Sequence, residues 1–343
     1  MANSKGQDIQ QGLEQLAASL GVDVSTIIQQ AQAAQKGVSV GVYLSSVRGA
    51  ALPGAAKTYA AYWSAFVKEF GTREVSSIKA SEVTRFCRDA SKRAVVRQNS
   101  RGGAGAIENC VGAMRFYFSV ALEDGLVTTN VAASVVKPRR PRSNRRALSP
   151  EQIEQMYQVC LEGRDPLLDA LLLRFHLETG ARRGGAIALR LSDIDTSEQC
   201  IKLREKGNTE RWQPISKSLM DALLEHGRSR GMKKSTDSVL RLAPAKGSKI
   251  GRPLTRRHYD SLATRWQKRL PFAERLGVSI HWVRHTAITN VERIAGFGIA
   301  REYAGHFAPT SATTTTYIQA TLEEVARVVE ILTGEMHPLV KNR

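Results

Sequence analysis

The stretch LLDALLLRFHLETGARRGGAIALRLSDIDTSEQCIKLREKGNTERWQPIS, residues 167–216, decides the fold of this chain. Its opening, LLDALLLRFHLE (167–178), is strongly apolar and reads as a helix that stops at Thr179-Gly180. CIKLRE (200–205) and ERWQPI (210–215) alternate as half-buried strands do, and they flank Lys206-Gly-Asn-Thr209, which has turn chemistry. A buried helix followed by a short hairpin predicts a mixed α+β unit with a small antiparallel sheet. Working outward, Ser149-Pro-Glu-Gln152 supplies an N-cap serine, proline at the first helical position and glutamine at the third, a strong helix start. From residue 255 the pattern is helical again, with short loops. This unit spans 148–343.

Upstream the periodicity is helical only. Tyr59, Tyr62, Trp63, Phe66, Val67 and Phe70 fall on one face of a helix over 57–70. A second helix runs near 80–97, with Val83, Phe86, Cys87 and Ala90 inward and Arg85, Arg88, Lys92, Arg93 and Arg97 at the other positions. A third covers about 105–123, with Ile107, Val111, Met114 and Phe118 inward. Residues 51–137 are thus read as a small basic all-helical domain, its aromatics core rather than stacking platforms. The run Lys137-Pro-Arg-Arg-Pro-Arg-Ser-Asn-Arg-Arg146 has six basic residues in ten and two prolines. It reads as an extended basic linker, placed at 138–147. Residues 1–50 form an N-terminal helical extension, with short helices IQQGLEQLAASL and VSTIIQQAQAAQ joined at Gly21. The fold class is mainly α.

The bulk numbers narrow the partners. The 343 residues are 42% hydrophobic and 24% charged, which excludes a wholly disordered chain. No apolar run of about 18 residues is present, so no membrane-spanning helix is expected. MANSKGQDIQ lacks an apolar signal region, and Cys87, Cys110, Cys160 and Cys200 lie far apart with no CxxC pair; a reducing cytoplasm fits both. Fifty Lys and Arg against 32 Asp and Glu give a net charge of +18. In residues 1–50, Lys5, Lys36 and Arg48 cancel Asp8, Glu14 and Asp23, so the excess lies after residue 50. A polyanion is the natural partner, nucleic acid first and an anionic membrane surface second. The neutral extension suits packing or protein contact rather than DNA reading.

Metal and nucleotide chemistry have little support. Asp193 and Asp195 are the only tight Asp pair near a motif and sit in a plain surface pattern, and GxxxxGK[ST] is absent. No cofactor and no metal are therefore expected. Cationic and imidazole residues instead stand beside helix ends and turns: Arg182 after the Thr179-Gly180 break, Lys206 at the hairpin turn, His281 and Arg284 three apart on one helical face, His306 after Gly305, and Tyr317 after four threonines. Four of the six have a neighbour to be weighed against them: Arg183 beside Arg182, Lys202 four residues before Lys206, His285 beside Arg284, and Tyr303 for Tyr317.

With these motifs in order, the sequence resembles the tyrosine recombinase (phage integrase) family over roughly 55–343. The matching stretches are TGARRGGAIALRLSDID (179–195), REKGNTERWQPIS (204–216), HWVRHTAIT (281–289) and AGHFAPTSATTTTY (304–317); TTNVAASVVKP (128–138) is similar to the end of that family's core-binding domain. The resemblance implies a site-specific DNA recombinase, active without metal or ATP. Arg182 and Arg284 would fork onto the non-bridging oxygens of the scissile phosphate, whose geometry a guanidinium matches. His306 would add a hydrogen bond, His281 would accept or orient a proton, Lys206 would be the general acid for the leaving 5′-hydroxyl, and Tyr317 would be the nucleophile that forms a 3′-phosphotyrosyl link. It further implies a clamp on duplex DNA and a homotetramer on DNA, with the amphipathic segment TLEEVARVVEIL (321–332) docking into a neighbouring protomer. It names no accessory protein. Two positions depart from the pattern: Gly185 stands where the family carries an acid, and Tyr317 follows His306 by eleven residues rather than nine. A type IB topoisomerase-like enzyme and a non-catalytic DNA-binding protein of the same fold remain alternatives.

Overall fold

A computed structural model describes residues 37–94, 103–139, 146–205, 209–305 and 320–341. The chain divides into two compact units at residue 142. The two short helices read within residues 1–36, and residues 140–145 of the basic run, lie outside the described residues.

The first unit is all-helical: α1 (Val40–Ala50), α2 (Pro53–Phe70), α3 (Ala80–Arg93) and α4 (Ala104–Glu123). Helix α2 starts earlier than its aromatic stripe because Pro53 sits in its first turn, where a missing N–H costs nothing. Trp63, Phe66 and Phe70 are buried against Phe86, Met114, Tyr117 and Phe118, while Tyr59, Tyr62 and Val67 are half-buried at the edge. Helix α1 falls in the segment assigned from sequence to the extension. Its Val40, Tyr43, Leu44 and Val47 enter this core, and the Tyr117 hydroxyl donates to the Val40 carbonyl at 3.0 Å. The basic positions of α3 are not all solvated: Arg93 lies 4.4 Å over the Phe86 ring and donates to its carbonyl.

The second unit contains α5 (Pro150–Leu161), α6 (Pro166–Thr179), α7 (Arg183–Ala188), β1 (Ile194–Asp195), β2 (Cys200–Glu205), β3 (Thr209–Pro214), α8 (Lys217–Ser229), α9 (Arg256–Arg269), α10 (Pro271–Leu276), α11 (Ile280–Tyr303) and α12 (Leu322–Thr333). The expected cap of α5 is present, with Ser149 and Gln152 exchanging bonds. The sheet has the order β1-β2-β3, all antiparallel, and pairs Lys202 with Trp212 and Glu205 with Thr209. Strand β2 has the bounds expected from the sequence, whereas β3 starts and ends one residue earlier than expected. Ile201 and Leu203 point into the core with Leu168, Leu172, Phe175, Leu219 and Trp266. Helix α6 is central, packing on α5, α8, α11 and α12, which explains its apolar character all round.

One sequence expectation changes here. Asp193 is not a surface residue: it is 1% exposed, accepts the Arg190 N–H at 3.0 Å and pairs with Arg204. Helix α12 packs within its own chain, burying Val325, Val328 and Val329, with Val325 and Val328 set against Ala287, Val291, Ala300 and Tyr303 of α11. The segment after it is tied down as well, since Glu335 accepts the Ser218 N–H at 2.9 Å.

Candidate active site

The site begins where α6 ends. Gly180 adopts φ +55°, and a Cβ there would meet the Tyr303 ring at 2.7 Å, so only glycine fits both the turn and its neighbour. The chain then passes through Ala181 to Arg182, the N-cap residue of α7. Four successive carbonyls across this turn are each taken by a buried side chain. Tyr303 donates its hydroxyl to Glu178 O at 2.6 Å, and Arg211 reaches Thr179 O at 3.2 Å. Arg284 donates to Gly180 O, and His176 Nδ1–H donates to Ala181 O at 2.9 Å. These donors come from α11, β3 and α6, so the turn is set by three elements at once.

Arg182, His281 and Arg284 are brought together. They line one cavity of about 340 Å³ with Ala181, Arg183, Tyr259, Asp260 and Ser279. Both His281 and Arg284 project from the first turns of α11, as their spacing predicts. His281 is exposed, whereas Arg284 is 4% exposed. The terminal nitrogens of Arg284 bond Gly180 O and, at 2.6 Å, Ala304 O, which fixes the plane of the guanidinium. Helix α11 bends at Gly296, φ +81°, before returning Tyr303 and Ala304 to this turn. Two guanidiniums in one recess form a site for an oxyanion, and the fixed plane means no reorganisation when the anion arrives.

Lys206, His306 and Tyr317 lie outside the described residues. The rivals are informative. Tyr303 is completely buried, and burial pushes its phenol pKa up, so it is a strut rather than a nucleophile. Arg183 pairs with Asp260 at 2.7 Å, and Lys202 pairs with Glu210 at 2.6 Å. Gly185 is buried and brings no side chain.

Sequence reading missed His176, Arg211 and Tyr259. Two carried a signal. His176 interrupts an apolar run, and Arg211 faces Leu203 across the ladder on the inward side of β3, where a charge is costly unless paired. Tyr259 had no such mark within its polar helix.

The phage integrase family matches residues 146–324. The chain is 26% identical over 295 residues to the tyrosine recombinase XerD of Mycobacterium tuberculosis, covering 80% of this chain and 88% of that one. It is 27% identical over 216 residues to the tyrosine recombinase XerC of Listeria innocua, covering 61% of this chain and 69% of that one. Among solved structures, a lambda integrase dimer bound to a COC′ core site superposes with a TM-score of 0.61 at 15% identity, covering 85% of this chain and 80% of that one. The Tn1549 transposon integrase in complex with transposon right end DNA gives 0.60 at 17% identity, covering 86% and 99%.

Proposed function

Because the chain belongs to the phage integrase family, we propose that it is a tyrosine-type site-specific recombinase that cleaves and rejoins duplex DNA through a 3′-phosphotyrosyl intermediate. The observation that carries this reading is the convergence of Arg182, His281 and Arg284 on one cavity.

The chemistry follows from the residue types. The Tyr317 phenol oxygen attacks the scissile phosphorus in line while the bond to the 5′-oxygen breaks. An unperturbed phenol has a pKa of about 10, so Tyr317 must lose its proton in the reaction, with His281 as acceptor or orienter. Charge on the non-bridging oxygens is held by Arg182 and Arg284, with a hydrogen bond from His306. Lys206 gives a proton to the departing 5′-oxygen. The phosphodiester energy stays in the tyrosyl link, and a second 5′-hydroxyl reverses the step on a new strand. With His281 taking the phenol proton and Lys206 supplying the proton gained by the 5′-oxygen, the scheme balances and calls on no metal ion or nucleotide.

We assign double-stranded DNA as the partner and a four-protomer complex as the working assembly, in the cytoplasm. Docking of α12 on a neighbour requires its apolar face to leave Ala287, Val291 and Ala300 of its own unit. The reading is tested with a nicked half-site. Wild-type protein should become covalently joined to DNA at Tyr317 with EDTA present, and Tyr317→Phe should bind DNA and trap none. Capture that needs Mg²⁺, or that persists in the Phe variant, overturns the reading.

A further inference from the structure

The backbone leading to Arg182 is fixed at each carbonyl of residues 178–181. Three of the four carbonyl donors, Tyr303, Arg211 and Arg284, act on residues 178–180. The carbonyl adjacent to Arg182, that of Ala181, is bonded by His176 alone among the contacts given above. His176 is 0% exposed, and its other ring nitrogen meets the Tyr259 hydroxyl at 2.8 Å. Ala181 O can only accept, so Nδ1 carries the proton. In a neutral ring Nε2 then accepts, and the Tyr259 hydroxyl must donate. Burial, reinforced by the Arg284 guanidinium, holds the imidazole pKa down to about 4 despite the bond to Ala181. The ring is therefore neutral at physiological pH and the relay has one direction: Tyr259 to His176 to Ala181 O.

The relay also reaches the cavity. Tyr259 is 3% exposed yet lines the same recess as Arg182, His281 and Arg284. Its ring stacks edge-on to His176, with centroids 5.5 Å apart, so both rings are pinned. At Gly185, where the family carries an acid, this chain has no side chain to steady the site from α7.

We infer that His176 and Tyr259 are positioning residues for Arg182, a hydrogen-bonded pair that fixes the Ala181 carbonyl and so the guanidinium that meets the scissile phosphate. The inference rests on the recombinase reading above. Neither residue touches the phosphate; both act through the turn. A pair of this kind affects the rate of cleavage more than the grip on DNA, because only the transition state requires Arg182 in register.

The test measures single-turnover cleavage of a nicked half-site at saturating protein, alongside half-site Kd, melting temperature and hydrogen exchange at the Arg182 and Arg183 amides. Tyr259→Phe keeps the ring and loses only the donor. It should cleave about 10-fold more slowly, and His176→Ala about 100-fold, with Kd within about 2-fold of wild type. His176→Gln, whose amide group can both donate and accept, should recover most of the His176→Ala loss. Exchange at the two amides should quicken in Tyr259→Phe at unchanged melting temperature. Wild-type cleavage by Tyr259→Phe, or a rise in Kd and a fall in melting temperature that parallel the fall in rate with no rescue by Gln, overturns the positioning role. Failure of the wild type itself to form a covalent complex would overturn the recombinase reading instead, and this inference with it.

Discussion

Arg284 donates to the carbonyl of Gly180, a residue 104 positions earlier in the chain. That bond joins the start of α11 to the turn that carries Arg182, so two cationic residues far apart in sequence share one frame. A second bond, to Ala304 O at 2.6 Å, ties the same guanidinium to the end of α11. Arg284 is thus both a phosphate ligand in the proposed reaction and a brace for the recess around it.

Arg284→Lys should fail in both roles. An ammonium cannot span two carbonyls in the fixed plane of a guanidinium. Leaving a buried carbonyl unsatisfied costs about 1–3 kcal/mol. Denaturant unfolding should show that loss, and half-site cleavage should fall at least about 100-fold.

Tyr303→Phe separates strut from nucleophile. Removing the donor to Glu178 O should cost about 1–3 kcal/mol of stability. Covalent capture of DNA should survive at temperatures where the variant stays folded, while Tyr317→Phe abolishes it. Peptide mapping of the DNA adduct reads the answer directly.

Gly180→Ala should be poorly tolerated. The left-handed backbone costs roughly 1 kcal/mol for a residue with a Cβ, and the contact with the Tyr303 ring adds about 1–3 kcal/mol of overpacking. The expected result is a melting temperature several degrees lower and slower cleavage, since the same turn carries Arg182.

Stability should fall as the solution is acidified from neutral. His176 and His226 are both held down to about 4 by burial, against 6.5 when unfolded. The unfolded chain therefore takes up protons that the folded chain refuses between about pH 6.5 and 4. Each histidine's contribution is intact above that window and lost through it, on the order of 3 kcal/mol per group at the acid end. Urea midpoints at pH 7 and pH 5 measure the effect, and His176→Gln should remove one histidine's share of the slope.

Placing Glu at Val325 or Val329 puts a carboxylate in a packed apolar face, so those variants should lose several kcal/mol of stability within the single chain. Deleting 321–343 removes the same packing, so assembly by the truncated protein is read at temperatures where it stays folded. The deletion should weaken four-protomer complexes in native gels while leaving single-site binding largely intact; wild-type assembly by the truncated protein would show that the helix is only a local cover.

Much of this architecture was legible in the sequence, and the reasons are local. Helix starts at Ser149, the stop at Gly180, the aromatic stripe of α2 and the hairpin alternation are set by residues within a few positions of one another. What escaped depends on distant partners. Asp193 looks like a surface acid until Arg204 comes across from β2. Helix α1 looks like part of a neutral arm until Tyr117 and the α2 aromatics cover it. In the site, Arg182, His281 and Arg284 were visible as motif residues, whereas Tyr259 was not, because its role exists only through His176, 83 positions away.

The clamped turn ties the proposed cleavage to the fold itself. Here the arginine pair is assembled only once α6, β3 and α11 have all found their places, because each supplies a donor that the turn requires. The recess that would meet the scissile phosphate is therefore a property of the completed unit, and loosening any one of the three elements would open it.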